Sequence, residues 1–456
     1  MRRISALALC LITACAPMPG AEVTKGAALD SRSLPASGSS TPFAASSSIR
    51  AERSNAEMAR DFLDLAFRME SGRAINALSR FEGQITVGVR GEMPAMAGAE
   101  LSNLLSRLRH EAGLDITTVK GDAPAAITID FVPRAQMRRA VPTAACFVVP
   151  GVSSFNDYKS ARGTAVVDWT RLTRRERVVI VIPSDTSAQE VRDCLHEELA
   201  QAIGPLNDLY HLPDSVFNDD NFHTVLTGFD MLILRAFYAP ELQSGMNEAE
   251  VARRLPDLLA RLNPAGEGRA GQMKTVAPRS WVQAVEQAFG SRGGTAKAAA
   301  ERMVSIANAQ GWSDGRMAFS HYALGCAQVT SDPEAAVRAF ARASEIYRRL
   351  PGGQVHEAHV DMQLAAVALA NGQPAQAVQF ADRAIPVVRQ SQNAALLATL
   401  MLLKAEAFEA QGMAAEARAL RLDSLGWARY GFGSESQVRA RMAEVAALGA
   451  RGRRGG

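Results

Sequence analysis

Glu197, Glu198 and Gln201 are the residues of this chain best placed to do chemistry together. They lie in the stretch EVRDCLHEELAQAIG, which begins at Glu190. Wound as a helix at about 100° per residue, Val191, Leu195, Leu199 and Ala202 form one apolar face. Asp193, Glu197, Gln201 and Gly204 gather on the opposite side, and Glu198 lies between, near the apolar edge. Glu197 and Gln201 stand one turn apart, the spacing by which two side chains of one helix reach one ion. Ser187 with Glu190 three residues on reads as a helix-opening capping box.

The donor types narrow the chemistry. Zinc favours imidazole nitrogen, thiolate or carboxylate oxygen, so Gln201 and Asn207 are poor zinc ligands. Their amide oxygens suit a hard cation, and Asp208, Asp219 and Asp220 supply more oxygen nearby. Such a cation does not give the acidified water of a zinc hydrolase. His196, His211 and His223 are a second conceivable set, but His196 projects to the wrong side of the helix. The favoured expectation is a metal-free hydrogen-bonded network of Glu197, Gln201 and Asn207, with one divalent metal as the alternative. Ser215 has only a distant claim to nucleophilic work, and no Walker A, dinucleotide or G-x-S-x-G motif occurs. His110, His321, His356 and His359 read as isolated surface or packing residues.

These residues need a frame. RSNAEMARDFLDLAFRMESGRAI reads as an amphipathic helix, followed by an alternating strand in FEGQITVGVRGE and a helix in GAELSNLLSRLRHEAGL. DITTV, AAITIDFVP, ACFVVPG, GTAVVDW and RERVVIVIP read as short strands. LTGFDMLILRAFY is a helix opened by Thr227 and Asp230, and Asn247 with Glu250 opens another. The result is an α+β domain with a mixed sheet. Beyond it strands vanish. Ala336-x-x-x-Phe340-x-x-Ala343 recurs as Ala377-x-x-x-Ala381-x-x-Ala384 and, weakly, as Ala417-x-x-x-Arg421-x-x-Ser424. Gly372 and Gly412 mark the turns. This resembles tetratricopeptide repeats, at about forty residues per unit rather than thirty-four. Such hairpins bury a continuous core and expose a groove for a protein or peptide.

The first domain resembles a metzincin (zincin-like) protease, whose helix carries H-E-x-x-H-x-x-G-x-x-H/D. Here the register reads Glu197, Glu198, Gln201, Gly204, Asn207. The resemblance implies that Glu198 stands at the catalytic glutamate and Gly204 at the turn glycine. Glu197, Gln201 and Asn207 stand at the three zinc histidines. DSVFND occupies the Met-turn with Phe217 for the methionine, and the helix ending at Tyr238 matches the closing helix. The similarity covers roughly residues 185 to 240. HEELAQAIGPLND, PDSVFNDDNFHTVLTGFDM and YAPEL with GM also resemble a proteobacterial family of lipoproteins, domain of unknown function 2927. That family has no assigned reaction.

The N-terminus, MRR and then ISALALCLITA, has the charge and short apolar run of an export signal. It closes in Ile12-Thr13-Ala14-Cys15, which resembles a bacterial lipobox and implies a lipidated Cys15. Ala16 in place of Asp lacks the inner-membrane retention signal, so the expected site is the periplasmic side of the outer membrane. In an oxidising compartment Cys146 and Cys194 either pair or remain a buried reduced couple, and Cys326 reads as a core residue. With 50 Lys+Arg against 47 Asp+Glu, no field draws nucleic acid, and the basic end RGRRGG reads as a frayed tail.

The expected organisation is a signal peptide at 1–15, a tether at 16–52 and a metzincin-like domain at 53–262. A linker at 263–278, a tetratricopeptide-like domain at 279–430 and a C-terminal helix with basic tail at 431–456 follow. The expected function is binding or scaffolding in the cell envelope, with a membrane contact through lipid and a protein or peptide partner on the array. The alternative is a metal-dependent peptidase with Glu198 as general base.

Overall fold

The computed structural model describes residues 53–455, except 122, 143, 219, 272 and 273. The expectations for Cys15, the signal peptide, the tether and Asp219 lie outside the described residues. The chain opens with α1 (Asn55–Phe67), capped by a complete Ser54–Glu57 box. The sequence pattern extends this helix to residue 75. It stops at Phe67 because Arg68 turns extended and bridges Ala74 around Gly72, whose φ is +80°.

A five-stranded sheet follows, interleaved with short helices. Its strands are β1 (Ile85–Gly91), β2 (Ile116–Thr118), β3 (Ile127–Val132), β4 (Phe147–Pro150) and β5 (Val178–Pro183). The order is β2-β1-β3-β5-β4, parallel except for the edge strand β4. β3 and β5 are buried along their whole length, as the unbroken run VVIVIP requires of a central parallel strand. Helix α2 (Ala97–Glu111) joins β1 to β2, α3 (Arg134–Ala140) follows β3, and α4 (Phe155–Ala161) follows β4. Asp130 on β3 fixes the start of α4 by accepting from Phe155 N at 2.8 Å. The expected strand GTAVVDW is instead two 3₁₀ turns, over Ala165–Val167 and Trp169–Arg171. Asp168 draws the chain into the second by accepting from the amide and hydroxyl of Thr170.

β5 leads into α5 (Ala188–Ile203), the helix that carries the chemical candidates. A strap without regular structure spans 204–226, followed by α6 (Gly228–Phe237) and α7 (Glu248–Leu262). Both helices open with the expected capping boxes. A disulfide joins Cys146, beside β4, to Cys194 on α5. Cys326 is free and buried.

From residue 279 the chain is an all-helical array. It comprises α8 (Arg279–Gly290), α9 (Gly293–Ala309), α10 (Gly315–Gln328), α11 (Pro333–Tyr347) and α12 (Gln354–Ala370). It continues through α13 (Pro374–Gln390), α14 (Ala394–Ala410), α15 (Ala414–Phe432) and α16 (Glu435–Gly455). Ala336, Ala343, Ala377, Ala384, Ala417 and Ser424 are all buried where paired helices meet, which explains why small residues recur there. Gly372 and Gly412 hold φ of +70° and +79° at the hairpin turns, a conformation glycine adopts freely.

Two features depart from a simple tethered pair of domains. The basic C-terminal segment is not a frayed tail. It continues α16, which crosses α12 and α14, burying Val438, Val445 and Leu448. Gly452 lies so close to that surface that a Cβ there would stand 2.3 Å from the Leu369 carbonyl oxygen. In addition, Tyr210 and Phe222 of the strap belong to the apolar core of the array. Tyr210 meets the Trp281 ring edge-on at 5.0 Å, and Phe222 stacks on His359 at 4.3 Å.

Candidate functional site

Helix α5 packs its apolar side, Val191, Leu195, Leu199 and Ala202, against the sheet and α2, with each of these residues at most 1% exposed. Ser187 caps its first turn by accepting from Glu190 N at 3.1 Å. The reciprocal half of the expected box is missing, because the Glu190 carboxylate binds Arg134 and Thr186 instead.

The other end of α5 is closed by residues that the local sequence does not reveal. A helix terminus leaves its last carbonyls without partners inside the helix. Here each carbonyl from Ala200 to Gly204 has a donor. Gly204 N serves Ala200 O at 2.9 Å. Arg175 Nη1 serves Gln201 O and Ala202 O at 2.6 and 2.7 Å, and its Nη2 serves Gly204 O. The Tyr238 hydroxyl serves Ile203 O at 2.9 Å. Arg175 is only 3% exposed and its guanidinium lies over the Trp169 ring, with burial lowering its pKa to about 10. A cation against the negative end of the helix dipole is the arrangement electrostatics favours.

Gly204 then lets the chain leave in close contact with α6. A Cβ on it would sit 3.1 Å from Leu234 Cδ2 and 3.5 Å from Phe237. The strap is pinned to α1 residue by residue. Leu206 N donates to Leu65 O at 3.0 Å, and Asn207 Nδ2 donates to Asp64 O at 2.9 Å. His211 Nε2 lies 2.8 Å from Asp61 Oδ1, and Arg53 bridges Asp61 to Asp214. The turn of DSVFND is held from inside. Ser215 Oγ donates to Asp230 Oδ1 at 2.5 Å and accepts from Phe217 N at 2.9 Å. Val216 N and Thr227 N both donate to Asp230 Oδ2. Burial nevertheless pushes the Asp230 carboxyl up to about 6. The Ser215 hydroxyl is therefore a structural donor in a buried turn, and the Phe217 ring is wholly enclosed in the core.

Three of the residues singled out in the sequence are buried. Glu198, Gln201 and Asn207 are 6%, 7% and 5% exposed, whereas Glu197 is partly exposed. Asn207 is committed to Asp64. Glu198 Oε2 has no hydrogen-bond partner. Burial, then the charges of Glu197 and Glu70, hold its carboxyl well above the usual range. Asp208 follows Asn207 in the strap, half-buried.

The three histidines do not converge. His196 accepts from Leu226 N at 3.1 Å, His211 meets Asp61, and His223 donates to Pro213 O at 2.9 Å. Among the described residues no group of three or more His, Cys, Asp and Glu side chains is placed to hold a metal ion. Asp220 is 2.8 Å from His356 Nε2, so His356 is a paired interface residue and not an isolated one.

The N-terminal half of α5 is covered by the array. Gln189 grips the start of α14, donating to Asn393 Oδ1 at 3.1 Å and accepting from Ala395 N at 2.8 Å. Arg192 Nη2 donates to Gln392 O at 2.6 Å, and its guanidinium lies over the Tyr430 ring. The Tyr430 hydroxyl donates to Glu100 on α2.

Residues 55–257 match a family model described as a protein of unknown function, DUF2927. No curated protein and no solved structure matches the chain.

Proposed function

We propose that this protein is a lipid-anchored scaffold of the cell envelope, with a metzincin-like domain retired from zinc chemistry and a tetratricopeptide-like array that holds a protein or peptide partner. The observation that carries the reading is Asn207. The residue at the third zinc position binds the Asp64 carbonyl and fastens the strap to α1. The order of parts also supports the resemblance. A mixed sheet, a helix ended at Gly204, a turn around buried Phe217 and a capped helix ending near Tyr238 follow one another along the chain. The Cys146–Cys194 disulfide accords with export to an oxidising compartment. Cys15, at the end of the export-like segment, would carry the lipid and face the protein into the periplasm from the outer membrane.

On this reading Cys15→Ala moves the protein from the membrane fraction to the soluble periplasmic fraction. Retention in the membrane would remove the anchor. Val337 and Leu422 are exposed apolar residues on α11 and α15. Replacing both with Glu should reduce in-cell crosslinking to the partner without changing the melting temperature. Unchanged crosslinking would exclude both positions from the contact.

One observation favours a second reading, a metal-dependent peptidase with Glu198 as general base and Glu197 and Gln201 near an ion. A buried carboxyl with a raised pKa beside another carboxylate is a feature of acid–base sites. Glu198→Gln separates the two. It abolishes hydrolysis in a peptidase and leaves a scaffold's partner binding intact.

A further inference from the structure

A cavity of about 940 Å³ opens where the strap, the linker and the array meet. Its size suits a small organic ligand, and junctions of this kind are where such sites concentrate. Five Arg and Lys side chains line it against three Asp and Glu; of the cations, Arg53 is paired with Asp61 and Asp214, Arg107 with Glu111 and Arg349 with Glu345. The three carboxylates already have internal partners. Asp214 binds Arg53, Glu57 closes the Ser54 cap, and Asp314 accepts from the backbone, Nε and Nη2 of Arg316.

Lys274 faces the strap. Its ammonium group donates to the His211 carbonyl at a long 3.4 Å. Burial first, then the Arg53 charge beside it, lower its pKa, against the opposing pull of Asp314, Asp61 and Glu57. Leu226, Leu350, Val355 and Val387 give the same cavity an apolar wall.

We propose that this cavity binds a small organic anion with an apolar body, its acidic group facing Lys274 and its body lying against Leu350 and Val387. The site is distinct from α5 and does not depend on whether that helix is catalytic.

The test uses the mature chain and a fluorescent anionic probe, anilinonaphthalene sulfonate. Octanoate and octanol serve as competitors of equal length, one an anion and the other uncharged. The expected result is one saturable probe site per chain, displaced by octanoate at concentrations about tenfold lower than by octanol. Lys274→Gln should weaken octanoate about tenfold and leave octanol unchanged, and Val387→Trp should weaken both, with the melting temperature of each variant as the folding control. The proposal is overturned if octanoate and octanol compete equally on the unmodified chain, or if the probe binds several weak sites. It is equally overturned if the Lys274 variant, still folded, binds octanoate like the parent.

Discussion

Asn207 donates its side-chain amide to the backbone carbonyl of Asp64, 2.9 Å away, and so ties the segment leaving α5 to helix α1. Both residues are buried. Asn207→Ala removes the donor and leaves a buried carbonyl unpaired, a loss of about 1–3 kcal/mol. Chemical denaturation of the full chain measures it. A change below about 0.5 kcal/mol would mean that the bond does not hold the strap.

Arg175 contributes more, because it supplies donors to three carbonyls, of Gln201, Ala202 and Gly204. Arg175→Met keeps much of the apolar stem and strands those acceptors, so a loss of about 3 kcal/mol or more is expected. Amide exchange should accelerate first in the last turn of α5. Lys in its place restores less than half of the loss, since an ammonium group cannot span the carbonyls as a planar fork does. Full rescue by Lys would show that charge alone matters.

Ser215→Ala distinguishes structural from nucleophilic use of that hydroxyl. The structural account predicts destabilisation of about 1–3 kcal/mol, because Asp230 loses its 2.5 Å donor in a fully buried turn. Any hydrolytic activity found for the folded protein should survive in the variant. A stable variant that has lost activity would contradict this.

His359 makes the junction between strap and array sensitive to acid. It stacks on Phe222, its Nε2 is buried without a partner, and burial lowers its pKa to about 3. The unfolded chain binds a proton near pH 6.5, and the native state does not until far lower. Stability is therefore present above pH 6.5 and falls as the pH drops from there toward 3. His359→Phe keeps the ring contact and removes the titration. Between pH 7 and pH 5 the parent should lose about 2 kcal/mol more than the variant. Parallel profiles would exclude His359 as the source.

Much of this was legible in the sequence, for local reasons. The continuous apolar run of β5, the Thr227–Asp230 and Asn247–Glu250 boxes, and the alanines at 336, 377 and 417 carry their structural meaning within a few residues. Pairing of Cys146 with Cys194 was one of two readings, and proximity of β4 to α5 decided it. Arg175 could not be singled out within RRER, since its role depends on carbonyls 26 to 29 residues away. Asn207 aligned with a ligand position, but its partner is a backbone atom of a distant helix that no side-chain pattern announces. The short helix α4 and the turn at 169–171 depend on side-chain acceptors, Ser154 with distant Asp130 for the first and Asp168 for the second. The contacts of Gln189, Arg192, Tyr210 and Phe222 with the array likewise belong to tertiary structure. They also mean that residues 53–262 alone would expose surfaces that the whole chain buries.

The proposed function holds that Glu197, Gln201 and Asn207, at the positions the metzincin resemblance gives to zinc ligands, do not serve zinc. The most direct measurement is the metal content of the full chain, expressed and purified without chelators and counted by mass spectrometry for zinc, calcium, manganese and iron. The account predicts far less than one ion per chain, and a melting temperature that chelator leaves unchanged. One tightly held ion per chain, lost in Glu197→Ala, would contradict it and restore the peptidase reading.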